Sequence, residues 1–218
     1  EVDGSLYDCM VNELDPTEAI YETETPNLHI MPSSIDLVGA ELELVSRIRR
    51  EYVIKEVVDQ VKQYYDYVLI DCLPSLGLVT VNALTAADSV LIPVQCEFFA
   101  LEGLTKLQDT IKMVKKHLNE RLEIEGILLS MYDRRLRLAN IVVSEVRDIF
   151  KDQVFDTIVH RNSKIGEAPN MHAPVVLLNA GSKGAVNFLN LAREFLDHNG
   201  DPPPQELSAQ NGVESNAK

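Results

Sequence analysis

Short apolar runs alternate with segments of helical periodicity along most of this chain. The apolar runs cover residues 67–70, 89–94, 124–131, 154–159 and 175–178. The segments with apolar side chains at helical spacing cover 35–45, 51–65, 101–118, 138–150 and 185–196. Continuous apolar runs are typical of strands buried on both faces of a parallel sheet. The alternation therefore predicts an α/β fold with a doubly wound, mostly parallel sheet and right-handed crossovers.

The two ends of the chain differ in composition from this alternating part. Residues 1–26 are acidic with one amphipathic stretch near 7–14, and residues 27–32 predict a short strand that Pro32 ends. Ser33 and Ser34 then predict an N-cap for the helix that follows. Residues 199–218 are rich in Pro, Gln, Ser and Asn, which predicts a disordered tail. We therefore expect one folded domain over 1–198 and a tail over 199–218.

The net charge of −14 argues against nucleic acid as a partner, but this charge is unevenly distributed. Residues 1–30 contain eight acidic side chains and no Lys or Arg, so −14 + 8 leaves −6 for the rest of the chain. A local basic face therefore remains compatible with the composition. The longest apolar run is shorter than 18 residues, which predicts no membrane span, and the acidic first residues do not resemble a signal peptide.

The chain contains three cysteines, Cys9, Cys72 and Cys96, which cannot all pair with one another. They form no CxxC motif, so their spacing does not indicate a metal site. We expect all three to be buried free thiols of a protein in a reducing cytoplasm.

A candidate catalytic residue follows the apolar run at 67–70. The sequence YVLIDCLPSLG places Asp71 directly after four apolar residues, as in a Walker B motif. In an open parallel sheet, ligands bind beyond the carboxyl ends of the strands, where a carboxylate can hold Mg²⁺ beside nucleotide phosphates. Taken alone, the pattern also fits an aspartate that ends a strand and begins a turn.

Longer stretches of the chain resemble the ParA/Soj family of partitioning ATPases. These stretches are LVGAELEL (37–44), YDYVLID (65–71), DCLPSLGLVTVNALTAADSVLIPVQCEFFALEGL (71–104), IEGILLSMYD (124–133) and HRNSKIGEAP (160–169). The resemblance covers roughly residues 5–198. It implies a P-loop NTPase fold of the deviant Walker A class, in which ATP and Mg²⁺ hold a sandwich homodimer together. It also implies nonspecific DNA binding in the ATP-bound state, stimulation of hydrolysis by a ParB/Spo0J-type partner, and a cytoplasmic, nucleoid-associated location without membrane binding.

The departure from the family pattern concerns its phosphate-binding loop. The family signature K-G-G-x-G-K-[ST] does not occur in these 218 residues; the nearest match is Gly181-Ser182-Lys183-Gly184, which lies in the wrong context. The chain also begins with Glu1 rather than Met. We therefore expect an N-terminally incomplete chain that lacks the first βαβ portion, which carries the P-loop. We expect these 218 residues to be incompetent in ATP hydrolysis and to have low stability in isolation, because a central strand would be missing.

The resemblance also implies roles for individual residues. Asp71 would hold Mg²⁺ and act in catalysis, while His160 and Asn162 would border the adenine ring. The alternative for Asn162 is a purely structural turn residue, and His160 stands where close relatives have Pro. Arg135 and Lys164 match the two positions that contact DNA in the family, with Arg134, Arg137 and Arg161 nearby. The alternative there is a solvated basic face, because seven basic and five acidic residues give segment 131–164 a charge of only +2.

Two acidic residues flank the apolar step FFAL, where the family places nucleotide-linked and dimer-interface groups. They are Glu97 and Glu102, and the simpler interpretation of Glu102 is an acid that stabilises a helix N-terminus. Two other functions also stay open for the chain. One is a relative without a P-loop that acts as a binding or regulatory module. The other is a MinD-like positioning ATPase, although the Pro-rich, acidic end of this chain does not resemble a basic amphipathic membrane helix.

Overall fold

The computed structural model describes residues 3–72 and 77–201 of the chain. The chain divides into two units. The first unit comprises Glu1–Ile92 and Phe98–Ile127, and the second comprises Pro93–Glu97 and Leu128–Lys218. The predicted tail at 199–218 lies outside the described residues except for residues 199–201. Among the described residues, no helix combines the length and the apolarity that crossing a membrane requires.

The first unit is mainly helical. Its elements are α1 (Leu6–Val11), β1 (Tyr21–Glu22), β2 (His29–Ile30), α2 (Leu37–Glu43), α3 (Val53–Val61), α4 (Leu78–Ala86) and α5 (Ala100–His117). α1 begins at a capping box, in which Ser5 and Asp8 each accept a hydrogen bond from the other's backbone N–H. β1 and β2 pair in antiparallel register, with Tyr21 opposite Ile30.

The core of the first unit lies between α1, α2, α3 and α4. Its buried side chains are Met10, Leu37, Ala40, Leu44, Val53 and Ile54. One polar side chain is completely buried beside them: the Asn82 amide donates to the carbonyls of Arg50 and Leu78 and accepts from the backbone N–H of Ile54. These hydrogen bonds replace those that the amide loses to water on burial. They also link α4 to the start of α3.

Two longer strands form a second two-stranded sheet. β3 (Ser89–Gln95) pairs with β4 (Glu123–Ser130), whose carboxyl-terminal half is buried from Gly126 to Leu129. Tyr132 then pairs in parallel with His160, and the N–H of Val159 donates to the carbonyl of Leu129 at 2.9 Å. The carboxyl end of β4 is therefore bordered by β3 on one side and by residues 159–161 on the other.

The remaining elements of the second unit are helices. They are α6 (Arg137–Phe150), α7 (Ser163–Glu167), α8 (Val175–Leu178) and α9 (Lys183–His198). A Cβ added to Gly184 would lie 2.6 Å from Cγ1 of Ile165, so the glycine permits the close approach of α9 to α7. Ser182 caps α9 by accepting from the N–H of Ala185. The Gly181–Gly184 stretch thus forms a helix start, in agreement with its assignment as a false match to a phosphate-binding loop.

Most helices predicted from periodicity are present with small shifts in their ends. The prediction for 51–65 corresponds to α3 and its flanking 3-10 turns, and the predictions for 101–118, 138–150 and 185–196 correspond to α5, α6 and α9. The predicted strands at 89–94 and 124–131 are β3 and β4. α4 was not predicted, because its sequence is apolar around most of its circumference and shows no amphipathic period.

The predicted strand at 67–70 is wrong for this structure. These residues carry no strand assignment, and Leu69 is 87% exposed rather than buried. A β-strand needs a neighbouring strand that pairs with its backbone N–H and C=O groups. In the described part of the chain, no strand pairs with residues 67–70. The same exposure overturns the prediction that all three cysteines are buried: Cys9 and Cys96 are buried, but Cys72 is exposed.

Four further local predictions differ from the structure. Residues 175–178 form α8 instead of a strand, because Pro174 begins a turn whose carbonyl accepts from the N–H groups of Leu177 and Leu178 at 3.0 Å. The strand predicted over 27–32 shortens to β2, and the run at 154–159 contributes only local pairing near its end. The N-cap of α2 is Asp36 rather than Ser33 or Ser34, and the Ser34 hydroxyl instead accepts from the Asp36 N–H two residues further along the chain.

Candidate functional site

The loops that follow the strands of the second unit leave from one edge of its sheet. The Cys96 N–H, just after β3, donates to the carbonyl of Ser130 at the end of β4 at 3.0 Å. On the other side, the Arg161 N–H donates to the carbonyl of Tyr132 at 3.0 Å. The segments 96–97, 131–136 and 160–164 therefore start at neighbouring positions. We call these three segments the loop edge.

Arg135, a predicted DNA contact, lies on the loop edge beside a carboxylate. Its Nε is 2.9 Å from Oδ1 of Asp133 and its Nη2 is 2.6 Å from Oδ2, and the Arg135 backbone N–H also donates to Oδ1 at 3.0 Å. These hydrogen bonds hold the pKa of the Asp133 carboxyl well below its usual range and raise the pKa of Arg135. The Arg135 side chain is 83% exposed while that of Asp133 is 14% exposed. The Asp133 carboxylate thus holds the Arg135 guanidinium in place while leaving it exposed to solvent.

Lys164, the second predicted DNA contact, lies in the first turns of α7. Its ammonium is 2.6 Å from a carboxylate oxygen of Glu167, one turn further along the helix. Its backbone N–H donates to Oδ1 of Asn162 at 2.8 Å, so Asn162 is the N-cap of α7. Asn162 therefore has a structural role in the start of α7 that does not depend on a nucleotide. A contact between Asn162 and a nucleotide base stays a prediction.

Further cations extend the loop edge. Nη2 of Arg161 lies 3.3 Å from a carboxylate oxygen of Glu97, and both side chains are more than half exposed. Arg134 and Arg137 are also exposed. The predicted DNA-contact residues are thus grouped with other arginines on one edge, but Arg135, Arg161 and Lys164 are each partly neutralised by a carboxylate. Exposed ion pairs of this kind contribute only about 0–1 kcal/mol, so an incoming phosphate can replace the carboxylate at low cost.

His160, the other residue predicted to border the adenine ring, is part of a local polar network. Its backbone N–H donates to Oδ1 of Asn187 on α9 at 3.2 Å, and its ring meets the ring of Tyr132 edge-on at 5.2 Å. The hydroxyl of Tyr132 in turn donates to Oδ1 of Asn140 on α6 at 2.7 Å. This network fixes residues 160–162 against α6 and α9.

Asp71 lies in the first unit, at the end of the exposed 67–70 segment. Its side chain is exposed, and residues 73–76, which contain Pro74 of the predicted loop, lie outside the described residues. The described residues contain no group of three or more His, Cys, Asp or Glu side chains arranged to share a metal ion. A single aspartate oxygen is nonetheless the kind of ligand that Mg²⁺ takes when substrate phosphates and waters supply the rest of its octahedral shell. The residues present thus fit a magnesium ion that arrives with a nucleotide.

Glu41 is a candidate site residue that sequence reasoning missed. An oxygen of its carboxylate accepts from the Val79 N–H at 3.3 Å, in the first turn of α4, directly after the Asp71 loop. The same oxygen occupies the space that a Cβ on Gly77 would need. A carboxylate at a helix N-terminus is stabilised by the unpaired N–H groups there. The contact joins two of the family-like stretches, LVGAELEL and the one that begins at Asp71, although 38 residues separate Glu41 from Val79.

Comparison with known proteins identifies the family. The model of a family described as an AAA domain matches residues 1–124, more than half of the chain. The chain is 48% identical over 194 residues to the sporulation initiation inhibitor protein Soj of Bacillus subtilis, covering 89% of this chain and 77% of that protein. It is 45% identical over 208 residues to the chromosome partitioning protein ParA of Myxococcus xanthus, covering 95% and 74%.

The chain belongs to the ParA/Soj family of partitioning ATPases. Its structure is also similar to cobyrinic acid a,c-diamide synthase of Mycobacterium smegmatis with bound ADP and magnesium, with a TM-score of 0.77 and 30% identity over 92% of this chain and 74% of that one. These similarities confirm the predicted α/β fold of the P-loop NTPase type for this ParA/Soj-family chain.

Proposed function

We propose that this chain forms the body of a chromosome- or plasmid-partitioning ATPase of the ParA/Soj type. In this proposal the protein binds DNA nonspecifically as an ATP-dependent homodimer and works in the cytoplasm on the nucleoid, and a ParB/Spo0J-type partner stimulates hydrolysis. The observation that carries the proposal is the 48% identity to Soj over 89% of the chain. An alignment that covers 89% of the chain spans both the loop edge and the Asp71 segment.

The proposal gives Asp71 of the first unit one role toward ATP and Mg²⁺, and His160 and Asn162 of the second unit another. When bound, Mg²⁺ would neutralise charge on the phosphates of ATP. Asp71 would hold that ion, while His160 and Asn162 would border the base. The cobyrinic acid a,c-diamide synthase structure, with its bound ADP and magnesium, supports ATP and Mg²⁺ as ligands. Because the 218 residues contain no glycine-rich phosphate loop, we propose that they do not hydrolyse ATP as they stand.

Nonspecific DNA binding is the function that the loop edge supports best. Phosphate contacts need positive side chains in register with the backbone and no base-specific geometry. Arg135 and Lys164 supply two such charges, with Arg134, Arg137 and Arg161 beside them. The partial neutralisation by Asp133, Glu97 and Glu167 suits weak, salt-sensitive binding better than tight binding.

The test uses the gene product that contains these 218 residues, expressed from its own open reading frame. With ATP present, Arg135→Ala together with Lys164→Ala should weaken retention on random-sequence DNA and lower the salt slope by about two. The matched control is Lys55→Ala together with Lys106→Ala, which removes two ion-paired lysines outside the loop edge. Unchanged retention in the first variant, with dimerisation intact, would rule out the loop edge as the DNA contact.

A binding or regulatory module without ATPase activity is the second candidate. Two assays on the same gene product separate the candidates. ATP turnover that DNA and a ParB-type partner stimulate supports the partitioning ATPase. Tight partner binding without turnover supports the module. Co-sedimentation with anionic liposomes, which we do not expect, would instead support a MinD-like protein.

A further inference from the structure

The side chain of Asn140, near the start of α6, forms its hydrogen bonds with the loop that precedes the helix. Its Nδ2 donates to the carbonyl of Arg134 at 3.1 Å and to the carbonyl of Leu136 at 2.9 Å. Its Oδ1 accepts from the Tyr132 hydroxyl at 2.7 Å. Backbone carbonyls can only accept hydrogen bonds, so these partners fix the orientation of the amide. One exposed side chain thus connects the beginning and the end of segment 132–136.

Hydrogen bonds rather than packing hold this part of the loop edge. Arg134, Arg135 and Leu136 are all exposed, so their side chains do not anchor the backbone in a core. The Leu136 N–H donates to the carbonyl of Asp133 at 3.0 Å, which closes a turn within the loop. That bond fixes the shape of the turn, whereas the two bonds from the Asn140 amide attach the turn to α6.

Tyr132 connects the same amide to the other cationic segment of the loop edge. Its carbonyl accepts from the Arg161 N–H at 3.0 Å, and its ring meets the His160 ring edge-on at 5.2 Å. The hydroxyl of that ring reaches Asn140. The backbone that carries Arg135 and the backbone that carries Arg161 are therefore held in one arrangement by a tyrosine and an asparagine.

We propose that Asn140 and Tyr132 are positioning residues for DNA binding, which hold the cations of the loop edge in place for the phosphates. This role rests on the proposed function of the loop edge, and it adds two residues that carry no charge. Cations on an ordered loop lose less conformational entropy on binding than cations on a loop that DNA must first order. The two residues therefore contribute to affinity without contributing a phosphate contact of their own.

The first test compares the loss of position with the loss of charge. In the gene product that contains these residues, with ATP present, Asn140→Ala should weaken retention on random-sequence DNA roughly five- to tenfold, because binding must then order the loop. The salt slope should stay at the parental value, since every cation is still present. Arg135→Ala together with Lys164→Ala should instead lower the slope by about two. Tyr132→Phe removes only the hydroxyl, so we expect a smaller loss of retention, again at the parental slope.

Limited digestion with trypsin measures the order of the loop without DNA. Trypsin cuts after arginine where the backbone can open locally. Below the thermal midpoint of both proteins, Asn140→Ala should speed cleavage after Arg134 and Arg135 several-fold. Asn12→Ala is the matched control, since Asn12 is also exposed and its amide bonds to Asp8 in the first unit. It should change neither cleavage of the loop nor DNA retention.

The two measurements separate this role from the DNA contact on which it rests. Faster cleavage together with weaker retention at the parental salt slope supports the positioning role. Unchanged cleavage, parental retention or a lowered slope in Asn140→Ala would overturn it, while the variant of Arg135 and Lys164 still binds DNA weakly. If that charge variant also retains DNA like the parent, the loop edge is not the contact and both proposals fall. Should Asn140→Ala not fold, Tyr132→Phe decides by the same criteria.

Discussion

Arg135 is bound by Asp133 through two side-chain hydrogen bonds, one from Nε to Oδ1 at 2.9 Å and one from Nη2 to Oδ2 at 2.6 Å. The carboxylate competes with any phosphate for the same guanidinium. Asp133→Asn should therefore tighten DNA binding by the gene product that contains this chain. Because exposed pairs contribute up to about 1 kcal/mol, we expect an effect of up to about fivefold. Retention on random-sequence DNA at several salt concentrations measures it.

The matched control is Asp109→Asn, which removes a carboxylate that pairs with the exposed Lys112 on α5. It should leave DNA retention unchanged. Because Arg135 lowers the Asp133 pKa, the ion pair stabilises the fold above the ordinary carboxyl pKa of 3.8 and this contribution is lost only as the pH falls below it. Mild acid should therefore not reproduce the effect of Asp133→Asn. Equal tightening by both variants would show that net charge alone is responsible.

The contact between Glu41 and the start of α4 leads to a second prediction. Gly77→Ala would place a methyl group where the Glu41 carboxylate lies, so the carboxylate would have to leave the Val79 N–H. We expect the free energy of unfolding to fall by about 1–2 kcal/mol, the cost of a lost charged hydrogen bond at a helix start. Urea denaturation of the variant and the parent chain measures the change.

A double-mutant cycle separates this contact from other effects of the added methyl group. In a Glu41→Ala background the cost of Gly77→Ala should largely disappear, because nothing remains for the methyl group to displace. Gly103→Ala on α5 is the control, since a Cβ there meets no atom within 4 Å and alanine favours the helix. If Gly77→Ala costs as much without Glu41 as with it, the contact is not the cause.

Helices with a strong amphipathic period were predictable from the sequence, whereas pairing between distant segments was not. The period of α3 places Val53, Ile54, Val57 and Val61 on one face, and all four are buried. Short apolar runs are ambiguous by nature, since periodicity cannot distinguish a four-residue strand from a buried turn. Residues 67–70 and 175–178 are two such runs, for which the sequence predicts strands that the structure does not contain. In each case the neighbouring backbone, not the run itself, determines the outcome.

The candidate site was predictable to a similar degree. Arg135 and Lys164 were placed by resemblance, and their carboxylate partners Asp133 and Glu167 lie two and three residues away along the chain, within reach of local reasoning. The pair of Arg161 with Glu97 spans 64 residues and follows only from the sheet, in which β3 and residues 159–161 border the carboxyl end of β4 from opposite sides. Likewise, no pattern in the sequence joins Glu41 to Val79, because a side chain that caps a distant helix carries no periodic signal.

The different burial of the three cysteines leads to a third prediction. Cys72 is exposed, whereas Cys96 is buried and its pKa is raised to about 11 by that burial. A thiol reacts as the thiolate. Cys96 should therefore be protected both by its burial, which excludes the reagent, and by its raised pKa, which keeps the thiol protonated, and Cys9 should be protected by burial. With Ellman's reagent at neutral pH, we expect one thiol to react rapidly in the native chain and three in denaturant. Cys72→Ser should remove the rapid phase; a rapid phase that persists would show that the fold opens around a buried thiol.

Asn162 permits a final prediction that separates its capping role from its expected contact with the adenine ring. Asn162→Ala removes the acceptor for the Lys164 N–H and should cost about 1 kcal/mol of folding free energy. Asn162→Asp keeps an acceptor at the N-cap and should leave the unfolding midpoint almost unchanged. Aspartate lacks the amide N–H donor, however, so a residue that reads the base through its side-chain amide would lose nucleotide affinity in both variants.

Thermal unfolding and nucleotide titration of the gene product that contains this chain measure the two effects side by side. Weak nucleotide binding by the stable Asn162→Asp protein would assign Asn162 to the base, because its fold is intact. Parental nucleotide affinity in Asn162→Asp, together with a lower midpoint in Asn162→Ala, would restrict Asn162 to capping α7. The Asn162→Ser variant is an uncharged control, since serine also caps a helix but has a hydroxyl group in place of the side-chain amide.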